Sequence, residues 1–352
     1  MPGTDIALLA VATLSCLAVL VLMASRRNDR AQRASPRAAA EPATLKQRLP
    51  AVVVNPSRFT DLTPVHTNVT RVCAELGWAA PLWLETTIED PGMGQAKTAL
   101  AAGADVVLVC GGDGTIRNVA QILAGSGTAL GLLPAGTGNL LARNLAMRLG
   151  DIAGATRIAL SGESRPVDVG RLRINDAVEE HVFLVMAGMG FDAAMMAGAP
   201  VRLKARMGQL AYVISGVRAL KGPQVRITLT IDGAAARRRR VRTVVVGNCG
   251  RLLGGLVLMP AAKVDDGLLD VVTIAPKGII GWFAVAARVL SRQRSGRPIV
   301  EHWQGAAITI TSEEPQPAQL DGDTMGKAQV LRMRVDPGAL LVRVPPASAL
   351  PR

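Results

Sequence analysis

The chain has 352 residues, 49% of them hydrophobic, and a formal charge of +13. It can therefore bury a sizeable core, is not disordered as a whole, and calls for an anionic partner such as acidic lipid, nucleotide or nucleic acid. Aromatic residues at 3% leave little for base-stacking platforms, which argues against nucleic acid. The four isolated cysteines and three scattered histidines predict reduced, buried thiols and no zinc site.

Ile6 to Ala24 carries no charge and as a helix spans roughly 28 Å, enough to cross a bilayer. Arg26, Arg27, Arg30, Arg33 and Arg37 follow it and no Lys or Arg precedes it. The positive-inside rule then predicts a single-pass anchor over 1–24 in the cell membrane, its N-terminus outside and the body cytoplasmic. A cleavable signal would carry its positive charge in front. Residues 25–49, rich in Arg, Ala and Pro, read as a flexible basic linker able to lie on an anionic membrane surface.

Residues 50–165 alternate strand and helix patterns, which predicts an α/β domain with a parallel sheet. Ala51 to Val54 is a buried strand ending in Asn55-Pro56-Ser57-Arg58. Val65, Val69, Val72, Cys73 and Leu76 make a helical stripe closed by Gly77. Leu82 to Thr87 is a strand with hydroxyls at its end, residues 93–102 are a helix, and Gly103 stops it.

Val106 to Cys110 then has the all-apolar character of a strand covered on both faces, and Ile116, Val119, Ala120 and Leu123 fall on one helix face. Between them, Gly111, Gly112 and Gly114 let backbone N–H groups close on a ligand, and the helix N-terminus favours an anion. Asp113 would repel phosphate directly, which suggests that it holds magnesium, through water or otherwise. A tight turn alone is the bland alternative. Ala129 to Leu133 is a further apolar run that leads into Pro134-Ala-Gly-Thr-Gly-Asn139. Ligands bind beyond the carboxyl ends of parallel strands, so both loops should face one crevice.

Past Gly150 the pattern changes. Strand-like runs occur at 166–174, 181–187, 225–231, 241–247, 268–274, 306–311, 329–335 and 339–344, with helix patterns at 201–220 and 279–293. These predict a mainly β sandwich over 166–345, followed by a tail at 346–352. Arg237 to Arg240 fall in a hairpin, either as a solvated edge that resists aggregation or as a contact for lipid headgroups.

The pair Gly111-Gly-Asp-Gly-Thr115 and Pro134-Ala-Gly-Thr-Gly-Asn139 resembles the diacylglycerol kinase catalytic domain, shared by bacterial lipid kinases and sphingosine kinases. Gly188-Met-Gly-Phe-Asp-Ala193, Lys204, Gly208, Tyr212, Pro260 and Asp265-Asp-Gly-Leu-Leu-Asp270 extend the likeness to about residue 345. The resemblance implies an ATP- and magnesium-dependent kinase acting on a membrane lipid, with an acyl glycerol as first guess.

It further implies nucleotide contacts at Asn55, Thr86 (Thr87 the alternate), Gly112, Asp113, Gly114, Thr115, Ile116, Arg117, Asn118 and Thr137, and magnesium held by Asp266 with the carbonyls of Lys263 and Leu268. In the family, Leu320-Asp-Gly-Asp323 reads Asp-Gly-Glu with the glutamate as base. Asp323 takes that place one methylene short, and Asp321 would order the magnesium and water network. At the first strand end the family shows Ser-Gly, whereas this chain has Ser57-Arg58, whose guanidinium could meet phosphate instead. The alternatives are an NAD kinase-like phosphotransferase, since the first loop occurs there too, and a lipid-binding protein with little turnover. A homodimer stays open.

Overall fold

The computed structural model describes residues 47–190, 224–252, 257–276 and 300–346. The expected membrane span, most of the linker, the helix patterns at 201–220 and 279–293, the tail, and Lys204, Gly208 and Tyr212 lie outside the described residues. Among the described residues no helix is long and apolar enough to cross a membrane.

Four parallel strands open the fold: β1 (Pro50–Val54), β2 (Leu82–Glu85), β3 (Val106–Gly111) and β4 (Ala129–Pro134), in spatial order β4-β3-β1-β2. Every residue of β1, β3 and β4 is buried, as their unbroken apolar runs require of a sheet covered on both faces. Helices α1 (Thr63–Glu75) and α5 (Ile152–Ser161) cover the face of Val52, Val54, Leu108 and Leu133. Helices α2 (Met93–Ala101) and α3 (Asp113–Leu123) cover the face of Ala51, Val53, Val107 and Leu130. Ile116, Val119 and Leu123 of α3 are buried, each contributing about 1.5 to 3 kcal/mol. That seat fixes the N-terminus of α3 against the end of β3. A one-turn helix, α4 (Leu140–Asn144), follows the second loop.

The rest is mainly β: β5 (Glu163–Ile174), β6 (His181–Phe183), β7 (Met186–Gly190), β8 (Val225–Ile231), β9 (Arg237–Val241), β10 (Thr243–Gly247), β11 (Leu269–Ile274), β12 (Val300–Gly305), β13 (Ala307–Leu320) and β14 (Asp323–Val344). Strands β12-β11-β10-β7 pair with the C-terminal end of β13, and β9-β8 pair with its N-terminal half. Register shifts between Thr311 and Gln319 let β13 pass from one layer to the other. Leu172, Phe183, Leu229, Ile310 and Leu331 of one layer pack with Val244, Val246 and Val271 of the other in one core.

Two features depart from the expected elements. The runs at 329–335 and 339–344 are one strand, β14, which starts at Asp323 and reaches the first sheet, where Val342 pairs in parallel with Leu130 of β4. The turn at Pro337-Gly338 does not end it, because β5 pairs it on both sides of that turn. A second unforeseen strand, β12, closes the sheet edge beside β11. Its Val-Glu-His-Trp-Gln-Gly sequence gives no clean alternation.

Candidate active site

The carboxyl ends of β4, β3, β1 and β2 lie side by side, so Ala135, Gly112, Asn55 and Thr86 follow one another along one sheet edge. The two glycine loops touch. A Cβ on Gly136 would stand 2.7 Å from the Gly112 Cα, and the Ala135 N–H donates to the Gly111 carbonyl at 3.3 Å. Only residues without side chains allow backbones this close.

Asp113 joins the loops. Its Oδ2 accepts from the Asn139 N–H at 2.9 Å and its Oδ1 from the Leu140 N–H at 2.7 Å. A Cβ on Gly138 would fall 2.3 Å from Oδ2, which requires glycine there. Burial pushes the Asp113 carboxyl above its ordinary range and the nearby Asp323 charge adds to this, while the Leu140 and Asn139 N–H groups oppose it. Holding magnesium, through water or otherwise, was the role expected of this carboxylate. Both of its oxygens are instead engaged by the second loop, so its observed work is positional.

Asn139, with a left-handed φ of 48°, turns the chain into α4 and closes the loop on itself. Its side chain accepts from the Gly136 N–H at 3.0 Å and donates to the Gly136 carbonyl at 2.6 Å. Arg143 Nε donates to the Gly138 carbonyl at 2.8 Å. Thr137 is left exposed at the tip.

The other expected nucleotide residues gather here. Asn55 accepts from the Ser57 N–H and hydroxyl and donates to Thr115 Oγ1 at 3.4 Å. Thr115 is buried under Gly111, whose Cβ would stand 2.9 Å from the Thr115 Cβ. Thr86 is buried at the end of β2, donating its N–H to Val54. Asn118 faces Gly92 in the next loop, whereas Ile116 points into the core and can offer a ligand only its backbone. Arg58 is exposed and its Nη2 lies 3.3 Å from where a Gly112 Cβ would be, so a guanidinium lies over the phosphate loop.

The β half supplies the carboxylates. Asp323 Oδ2 is 3.3 Å from the position of a Cβ on Gly114 and 2.8 Å from Arg117 Nη2. Arg117 also donates to the Leu320 carbonyl at 2.8 Å. Its side chain is 11% exposed against 57% for Asp323, so the arginine is the fixed partner. Arg117 was expected to contact nucleotide; here its guanidinium is committed to the turn that carries Asp323. Sequence reasoning missed that link because the partners are distant in the chain.

Asp321 was expected to order a magnesium and water network; the structure shows its backbone partners. It is buried, with Oδ2 accepting from the Leu184 N–H and Oδ1 from the Val185 and Met186 N–H groups, all within 2.9 Å. Burial pushes its carboxyl up to about 6 against the pull of those donors and of Arg117. A carboxylate held this way latches β7 to the β13–β14 turn.

Lys263, Asp266 and Leu268 share one exposed turn, with Gly267 at a φ of 72° and Asp266 Oδ1 accepting from the Leu268 N–H at 3.2 Å. The turn is fastened by Asp168, which sequence reasoning did not single out. This buried carboxylate accepts from Gly267 at 2.6 Å and Gly338 at 2.8 Å. A lone charge in Val167-Asp-Val169 was its signal. Among the described residues no three or more His, Cys, Asp or Glu side chains cluster as a metal site. Cation binding at this turn would therefore rest on Asp266 and backbone carbonyls, hard oxygen donors that suit magnesium. Among the described residues, the side chains that bond to this turn, Arg165 and Asp168, lie outside the glycine loops.

Comparison with known proteins points to one family. Residues 51–172 match the diacylglycerol kinase catalytic domain, and residues 185–344 match the YegS C-terminal NAD kinase beta sandwich-like domain. A Pseudomonas aeruginosa protein named probable lipid kinase YegS-like is 33% identical over 265 residues, 73% of this chain and 82% of its own. A Mycobacterium tuberculosis diacylglycerol kinase is 33% identical over 174 residues, 49% of this chain and 56% of its own. The crystal structure of a diacylglycerol kinase from Bacillus anthracis aligns with a TM-score of 0.67 at 25% identity, covering 86% of this chain and 99% of that one.

Proposed function

The chain belongs to the diacylglycerol kinase catalytic-domain family and is a kinase, and from that premise we propose that it transfers the γ-phosphate of ATP to the hydroxyl of a membrane lipid, diacylglycerol first among candidates. The observation that carries this reading is the position of Asp323, a carboxylate from the β half standing 3.3 Å from the Cβ position of Gly114 in the phosphate loop.

The triphosphate lies along the touching loops, its oxygens taking N–H groups at Gly112 to Thr115 and at the Thr137 tip, with the N-terminus of α3 beneath. Arg58 closes on the phosphates from above. The acceptor hydroxyl enters between the γ-phosphate and Asp323. As its oxygen bonds to phosphorus, Asp323 takes the proton and the bond to the bridging oxygen of ADP breaks. Arg117 holds Asp323 at the right depth, which matters because aspartate is one methylene shorter than the family's glutamate. Magnesium, when bound, neutralises phosphate charge. The oxygen donors this chain offers for it are Asp113, through water, and the Asp266 turn with the carbonyls of Lys263 and Leu268. Ile6 to Ala24 as an anchor and the basic stretch after it would keep the site beside its lipid, raising effective concentration without new contacts.

The test is transfer from γ-labelled ATP to a panel of diacylglycerol, monoacylglycerol, a sphingoid base and NAD. Label in the organic phase is expected. Label in NADP would move the assignment to NAD kinase, and no label in any acceptor would leave a lipid-binding protein without turnover.

A further inference from the structure

The strand pairings place an array of arginines on one sheet face. Directly opposed residues of paired strands share a face, so Arg238 opposes Thr228, which opposes Thr311, and Arg240 opposes Arg226. The same face continues through Thr309 to Arg332 and Arg173, and through Arg334 to Arg171. Its other side is the core of Ile227, Leu229, Ile308 and Ile310, so this side faces away from that core.

The charge on this face is unevenly balanced. Arg171, Arg173, Arg332 and Arg334 pair with Asp336, Glu180 and Asp176. Arg226 pairs with Glu313, and Arg239, on the opposite face, pairs with Glu301. Arg238 and Arg240 are exposed and have no ion pair among the described residues. Arg240 moreover stands directly across from Arg226, and like charges at that position destabilise a strand pair. Charge on an edge strand discourages pairing with another chain, and here Arg237 to Arg240 form an unbroken run. A shallow groove of about 190 Å³ lies here, lined by Arg226, Thr228, Arg238, Arg240 and Glu313 together with Ile227 and Arg239 of the neighbouring positions.

We infer that the β8–β9 face is a docking surface for an anionic bilayer, its guanidinium groups contacting lipid headgroup phosphates. This rests on the lipid-kinase reading for its choice of occupant: an enzyme whose acceptor sits in a membrane must place some face against it, and this face carries uncompensated charge. Arg keeps its proton across the accessible range and binds phosphate in forked pairs. Each such residue near an acidic surface favours binding by a factor of about five. The attraction should therefore be insensitive to pH and weakened by salt.

The experiment is co-sedimentation of the full chain with phosphatidylcholine vesicles, with and without 30% phosphatidylglycerol, for wild type, R238Q/R240Q and R238E/R240E. The anchor and linker are common to all three, so the differences report the patch. The expected result is a loss of about tenfold or more in partitioning to the anionic vesicles for R238E/R240E, a smaller loss for R238Q/R240Q, and no change on neutral vesicles. Equal partitioning of all three proteins would overturn the inference, as would equal losses on both vesicle types or a selective loss of RNA retention. Phosphorylation of diacylglycerol in neutral detergent micelles by the same proteins should be unchanged, which also shows that the variants fold. Absence of that activity from wild type would count against the kinase acceptor, a separate outcome from the vesicle result.

Discussion

Arg117 of α3 and Asp323 at the start of β14 are joined Nη2 to Oδ2 at 2.8 Å, and the other end of the same guanidinium holds the Leu320 carbonyl at 2.8 Å. One largely buried side chain thus ties the helix after the first glycine loop to the turn that carries the proposed proton acceptor. Replacing it with alanine should leave the KM for ATP nearly unchanged and lower kcat about a hundredfold, the effect of misplacing a reacting group by about 1 Å. Lysine should restore part of the rate. Steady-state kinetics with ATP varied at saturating lipid would check this, and a rise in KM at constant kcat would reassign Arg117 to nucleotide binding.

The contact between the glycine loops should be necessary for nucleotide affinity. In G136A the new Cβ meets the Gly112 Cα at 2.7 Å, a backbone clash that rotamers cannot relieve. Overpacking of this kind costs about 1 to 3 kcal/mol, so ATP affinity should fall about tenfold or more in a calorimetric titration. D113A should act in the same direction by leaving the Asn139 and Leu140 N–H groups without their acceptor. It should also lower stability by about 1 to 3 kcal/mol for each N–H that water cannot reach.

Arg58 lies over Gly112 and is exposed. If it meets phosphate, R58A should weaken binding of ATP by about 2 kcal/mol, the strength of a hydrogen bond between charged groups. It should weaken adenosine binding hardly at all. Competition of both ligands against a fluorescent ATP analogue would measure the difference.

Asp321 gives the fold an unusual response to pH. Its folded value of about 6 lies above the ordinary 3.8, so the folded state holds the proton more tightly than the unfolded chain. Its contribution is therefore fully present below about pH 4 and is lost as pH rises through 6. Asp113, also raised, acts with the same sign. Denaturant melts from pH 4.5 to 7 should show this component in wild type and lose much of it in D321N. The amide should also destabilise the protein by about 1 to 3 kcal/mol, because its NH2 group would face the Leu184 N–H.

What could be read in the chain and what could not divide along physical lines. Buried parallel strands are continuous apolar runs, and a phosphate loop needs glycine, so Val106 to Gly114 and Pro134 to Asn139 disclosed their places directly. The backbone partners of Asp113 and Asp321 were not legible, because carboxylates that accept from backbone N–H groups leave no mark in the sequence. Arg117 was placed in the right helix without its partner in the β half, since its link to Asp323 is made only when β14 folds back. The length of β14 was hidden by Pro337-Gly338, a turn signal that pairing with β5 overrides. On β9 the arginines were visible as a run, but their alignment with Arg226, Arg332 and Arg173 depends on register across separate hairpins.

The measurement that bears most directly on the central claim is transfer of label from γ-labelled ATP into chloroform-extractable lipid by wild type, D323N and D323E at matched folding. Wild type should label diacylglycerol, D323N should lose about a hundredfold to ten-thousandfold as expected for removal of a general base, and D323E, which restores the family's reach, should match or exceed wild type. Labelling by D323N at the wild-type rate would contradict the account.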